Sequence, residues 1–107
     1  MPIIRSDTSI VTQINVFTMA PGGQQPLIDH LAHAATVARE VDGRLSASLH
    51  RSLDGTRFVN YAQSANEAAA LRVIEHLTDQ GLIDASAAYG AADPGLYEVV
   101  FTVDRAG

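Results

Sequence analysis

The sequence predicts an α+β fold of the ferredoxin-like βαββαβ type, with one four-stranded antiparallel sheet under two helices. Three observations predict it. The apolar period switches between about two and about 3.6 in the order strand, helix, strand, strand, helix, strand. An Asp-Gly pair, Asp54-Gly55, joins the two middle strands as a hairpin. The chain of 107 residues suffices for one hydrophobic core but not two.

Each element has its own signal. Residues 9–19, SIVTQINVFTM, are rich in β-branched side chains and predict the first strand, which APGG then ends. From 24 to 41, Leu27, Ile28, Leu31, Ala34, Ala35, Ala38 and Val41 recur at helical spacing. Pro26 is tolerated in the first turn of that helix, and Gly43 suits the left-handed residue past its end. RLSASLHR (44–51) and RFVNYAQ (57–63) predict the second and third strands around SLDG. After Gln63 the period lengthens, and Leu71, Ile74 and Leu77, supported by Ala70 and Val73, predict a second helix closed by Gly81. LIDASAAY is read as a short helical or irregular piece. LYEVVFTV (96–103) predicts the last strand, with Tyr97, Val99, Phe101 and Val103 on one face.

Composition narrows the chemistry. The formal charge is -5, from 12 acidic and 7 basic residues, all of the latter arginines. A phosphate backbone needs a clustered basic face, so no nucleic-acid partner is expected. With no cysteine, disulfides, thiolate metal sites and cysteine nucleophiles are excluded. The sequence has no apolar run of signal-peptide or membrane-span length, so the expectation is a cytoplasmic protein without a membrane partner. Residues 1–107 are read as one domain, with a core over about 10–104 and an N-terminal extension over 1–8.

Helices cover only one face of such a sheet, yet apolar residues occupy both parities of the strands: Ile14 and Val16 against Phe17 and Met19, Leu96 and Val100 against Val99 and Phe101. The uncovered face predicts a partner, and a two-fold homodimer is the commonest solution.

INVFTMAPGG, GRLSASLHRSLDGTRFVNYAQ and the helix that follows resemble the antibiotic biosynthesis monooxygenase family of small dimeric α+β barrel proteins. This family includes cofactor-free oxygenases that tailor aromatic polyketides and enzymes that degrade haem. The resemblance runs from about Ile14 to Val103, and its most specific part is the hairpin SASLHRSLDGTRFVNYAQ. It implies a dimer formed by two packed sheets and a pocket between sheet and helices.

By that resemblance Asn60 corresponds to a pocket asparagine that hydrogen-bonds the substrate oxygen. The bland alternative is an amide that pairs backbone groups at a bulge or strand end. A carboxamide donates two hydrogen bonds without adding charge, which suits it to a developing oxyanion. Gln63 is either a second pocket amide or a residue that fixes the strand-to-helix turn. Ser64 and Ala70 stand where the cofactor-free oxygenases carry a tryptophan and a tyrosine, which implies a larger pocket. Ser64 and Glu67 also have the spacing of a capping box, with Asn66 as a rival cap.

If the hairpin has a three-residue loop, Ser46, Ser48 and His50 share a face with Phe58 and Asn60; a shift of one residue breaks the group. On that register His50 is the candidate base near neutral pH. The candidate set is therefore Asn60 and His50 as catalytic residues, with Asn15, Phe58, Gln63, Ser64 and Ser48 around the substrate. Tyr61 and Tyr97 are further possible lining residues. His30 and His33, three apart on the first helix, lack a third ligand, so no metal is expected. Haem degradation is disfavoured, because those relatives use a helix-borne histidine and residues 84–87 contain none, although Asn15 matches their pocket asparagine.

The sequence thus predicts a monooxygenase that needs no cofactor, oxidising an electron-rich aromatic of anthrone or quinol type with O₂. The alternatives are a non-catalytic binding or scaffold dimer of the same fold and a stress-linked quinol oxygenase.

Overall fold

The computed structural model describes residues 4, 8–22 and 24–105. Most of the expected N-terminal extension lies outside the described residues. The element order is β1 (Val11–Thr18), α1 (Gln24–Ala38), β2 (Arg44–Arg51), β3 (Arg57–Ser64), α2 (Glu67–Asp79), α3 (Leu82–Ser86) and β4 (Ala91–Tyr97). The strands form one antiparallel sheet in the order β2-β3-β1-β4, which is the ferredoxin-like arrangement.

The core lies between sheet and helices. Phe17 of β1 and Phe58 of β3 face each other across the ladder and pack on Leu27 and Leu31 of α1, with Met19, Ile28 and Leu49 against them. Burying a side chain of this size contributes about 1.5–3 kcal/mol. The Gln24 side chain donates to the Arg57 carbonyl at 2.9 Å and so ties the start of α1 to β3. At the other end of α1, Gly43 adopts φ +92°. A Cβ there would lie 2.6 Å from the Ala69 Cβ, so the bare backbone also lets α2 approach.

Four expectations are corrected. The N-cap of α2 is Asn66, whose side chain accepts from the Ala69 N–H at 2.9 Å, so the Ser64–Glu67 capping box does not form. Ser64 instead ends β3, buried. Leu71 is half-exposed, and the inward stripe of α2 consists of Ala69, Ala70 and Val73, with Ile74 and Leu77 partly buried. The hairpin loop has four residues: Arg51 faces Phe58, the Ser52 N–H donates to the Arg57 carbonyl, and 53–56 turn between them. That one extra residue reverses the parity of β2, so Leu49 faces Asn60 while Ser48 faces Tyr61 and His50 faces Val59.

The last correction concerns β4. The strand is Ala91–Tyr97, earlier than the expected 96–103. Pro94 and Gly95 argue against a strand by propensity, but β4 is an edge, where a missing N–H can face away from the ladder. Seven pairs, from Ala91 opposite Thr18 to Tyr97 opposite Thr12, use all of β1 except Val11. In that register the β-branched run 99–103 extends beyond the end of the sheet.

Candidate active site

Asn15 and Asn60 lie directly opposite each other on the two central strands, β1 and β3. Alternation along those strands puts them on the helix-covered face with Gln13, Phe17, Phe58 and Ala62. A cavity of about 280 Å³ opens over them. Its walls are Leu31 and Ala34 of α1, Ile74 and Leu77 of α2, Leu82, Ile83 and Ser86 of α3, Ala87, and Ala92 and Pro94 of β4. The lining is apolar apart from Gln13, Asn15, Asn60 and Ser86, and none of its side chains ionises. The Ser86 hydroxyl donates to the Ile83 carbonyl at 2.6 Å, which leaves the three amides as the polar groups of the cavity.

The Oδ1 atoms of Asn15 and Asn60 are buried and have no hydrogen-bond partner among the described residues. An unpaired buried polar atom costs about 1–3 kcal/mol, so two on facing residues need an account. Asn60 also occupies a regular ladder position and not a bulge. Rotation about χ2 exchanges the oxygen and the NH₂ of each amide, so the pair can offer the cavity donors or acceptors.

The other expected site residues lie elsewhere. His50 and Ser48 point to the uncovered face, where the Ser48 hydroxyl and His50 Nε2 are 3.0 Å apart and the His50 and Tyr61 ring centroids 6.4 Å apart. Gln63 shares that face and accepts from the Ser46 hydroxyl at 2.9 Å. Phe58 is core, and Ser64 and Tyr97 do not reach the cavity lining. The structure therefore brings Asn15 and Asn60 together and separates both from His50.

Sequence reasoning missed Gln13 and the wall that α3 gives the cavity. Gln13 was recoverable, since it lies two residues from Asn15 on the same face. The α3 wall was not: the sequence allows a short helical or irregular piece there, but a five-residue helix has too short a period to show which face it turns inward. His30 helps hold that wall: its Nε2 lies 2.9 Å from the Leu82 carbonyl, and its ring is 5.3 Å from that of Tyr89. Among the described residues no three His, Asp or Glu side chains converge as a metal site would require.

Comparison with known proteins agrees with this architecture. The family model described as antibiotic biosynthesis monooxygenase matches residues 10–80. Tetracenomycin-F1 monooxygenase of Streptomyces glaucescens is 41% identical over 69 residues; the match covers 64% of this chain and 62% of the relative's length. The solved structure of SnoaB, a cofactor-independent oxygenase from Streptomyces nogalater, superposes with a TM-score of 0.79 at 22% identity, covering 90% of this chain and 98% of that one. A monooxygenase from the gene ActVA-Orf6 of Streptomyces coelicolor, solved in complex with nanaomycin D, has a TM-score of 0.72 at 27% identity, covering 90% and 91%. The chain belongs to the antibiotic biosynthesis monooxygenase family.

Proposed function

We propose that this chain is a cofactor-independent monooxygenase that oxidises an electron-rich aromatic of anthrone or quinol type with O₂. The observation that carries the reading is the pair of amides, Asn15 and Asn60, facing one another in a mostly apolar cavity, their Oδ1 atoms without a partner among the described residues. The names of the relatives, a tetracenomycin-F1 monooxygenase and a cofactor-independent oxygenase, point the same way.

In this mechanism the substrate supplies the electrons. A ring CH₂ activated by a neighbouring carbonyl loses a proton to give an enolate, and the amide NH₂ groups stabilise the oxygen on which the charge gathers. The carbanion passes one electron to O₂, and the radicals combine to a peroxide. Loss of water then leaves a carbonyl: one oxygen atom enters the product, and the other departs as H₂O with the two hydrogens of the CH₂. The apolar walls hold the flat ring, exclude water and strengthen the amide hydrogen bonds.

No lining side chain ionises, so the proton leaves to water and the acidity of the bound substrate governs the rate. The pH profile of kcat should then follow the substrate, moving when an anthrone is exchanged for one of different acidity. With ¹⁸O₂, one labelled atom per product is expected. A profile fixed across substrates would indicate a protein base and overturn this assignment. A competing reading, a non-catalytic binding dimer, draws on that same lack of an ionisable group; it predicts tight aromatic binding with no O₂ uptake.

A further inference from the structure

The mechanism employs two of the three amides on the cavity floor and leaves Gln13 without a task. Gln13 lies two residues before Asn15 on β1, so both side chains stand over the same face, with their Cα atoms about 7 Å apart. Its neighbours across the ladder are Ala62 on β3 and Leu96 on β4, neither of which has a polar side chain. Among the described residues the Gln13 carboxamide makes no hydrogen bond, although it lines the cavity.

The floor is closed at one end and open at the other. Phe17 and Phe58, which face each other on the far side of the asparagines, are each 1% exposed. The Oδ1 atoms of Asn15 and Asn60 are sealed from solvent. Gln13 is only half-buried, and its amide atoms stay within reach of water.

We propose that Gln13 determines specificity: its carboxamide hydrogen-bonds an oxygen substituent on an outer ring of the substrate while Asn15 and Asn60 hold the oxygen of the ring that reacts. The assignment rests on the reading of the cavity as a site that oxidises an aromatic. The plain alternative is a solvated amide at the rim of a sheet, and it suffices for the empty cavity. A bound ring, however, displaces the water from Gln13, and an amide that then finds no partner weakens binding by about tenfold. A ligand oxygen at that place restores the bonds, so the residue discriminates by what the outer ring carries. A carboxamide both donates and accepts, and takes a phenol or a ring carbonyl without a charge of its own. The spacing of about 7 Å suits oxygens on different rings of a fused system better than the two oxygens of a single quinol ring.

Equilibrium dialysis of the full-length chain against anthraquinones tests this without turnover. The probes are the parent quinone and its monohydroxy derivatives, with the hydroxyl beside the ring carbonyl or one carbon further out. Wild type should bind at least one hydroxyquinone about tenfold more tightly than the parent, and Gln13→Leu should lose that gain while binding the parent at least as tightly. Gln13→Met, unbranched and apolar, should behave alike and replaces Gln13→Leu should the latter fail to fold by far-UV circular dichroism. A structural role would weaken all the quinones together, so a uniform loss would overturn the assignment. So would the absence of any gain from a hydroxyl in wild type, or the same gain in both variants, either of which leaves the aromatic cavity standing. Failure of wild type to bind any of these quinones would instead overturn the reading of the cavity, and the assignment with it.

Discussion

Asn60 stands where a scaffold strand would carry an apolar residue, and its amide oxygen pairs with no group of the described residues. Had it been structural, it would satisfy backbone groups, and Asn60→Ala would cost about 1–3 kcal/mol. Its position favours the opposite outcome: stability near wild type and a loss confined to turnover. His50 makes the contrast. It lies on the other face of the sheet beside Ser48, so His50→Ala should leave kcat within about twofold, well short of the 10²–10³-fold loss typical of an oxyanion donor. A second residue-scale test concerns Asp54 in the hairpin loop. Hydrogen bonds from the Thr56 hydroxyl, the Thr56 N–H and the Ser52 hydroxyl hold its carboxyl down from 3.8 to about 2. A depressed carboxylate contributes stability above its unfolded pKa and loses it as pH falls through the folded one. Thermal melts should therefore show wild type losing more stability than Asp54→Asn between about pH 4 and 2, with parallel curves above pH 5.

At the scale of elements, Gly43 joins α1 to β2 under two constraints, a left-handed φ and contact with Ala69. Gly43→Ala should cost about 1–3 kcal/mol in a urea melt, and a cost near zero would show that α2 can retreat freely. Much of this layout was legible in the sequence. Strands β1 to β3 and helices α1 and α2 follow from apolar period and from the Asp-Gly turn. What was not legible depends on single-residue counts or on tertiary pairing. One extra residue in the hairpin loop moved Ser48 and His50 off the cavity face. Two cap residues competed, and Asn66 prevailed over Ser64. β4 formed from AADPGLY because its register leaves only Val11 of β1 beyond Tyr97, whereas propensity favours the run that follows it. Asn15 and Asn60 were both singled out from sequence, but their facing one another required the β1–β3 register.

For the whole molecule, one sheet face packs on helices and the other presents Ile14, Val16, Val59 and Tyr61, each half-buried. A stable pair covering such a face buries more than about 1,000 Å² in total. A dimer at micromolar concentration is expected by sedimentation, and a monomer throughout that range would contradict it. Among the described residues no helix is long and apolar enough to cross a membrane. The central claim is that the facing amides stabilise an oxidisable anion within an apolar cavity. Oxygen-electrode traces with an anthrone, recorded for wild type, Asn15→Ala and Asn60→Ala and normalised to folded protein, test it most directly. The account predicts uptake by wild type and about a hundredfold slower uptake by Asn60→Ala with the melt preserved; full activity in Asn60→Ala, or no uptake by wild type across a panel of anthrones and quinols, would contradict it.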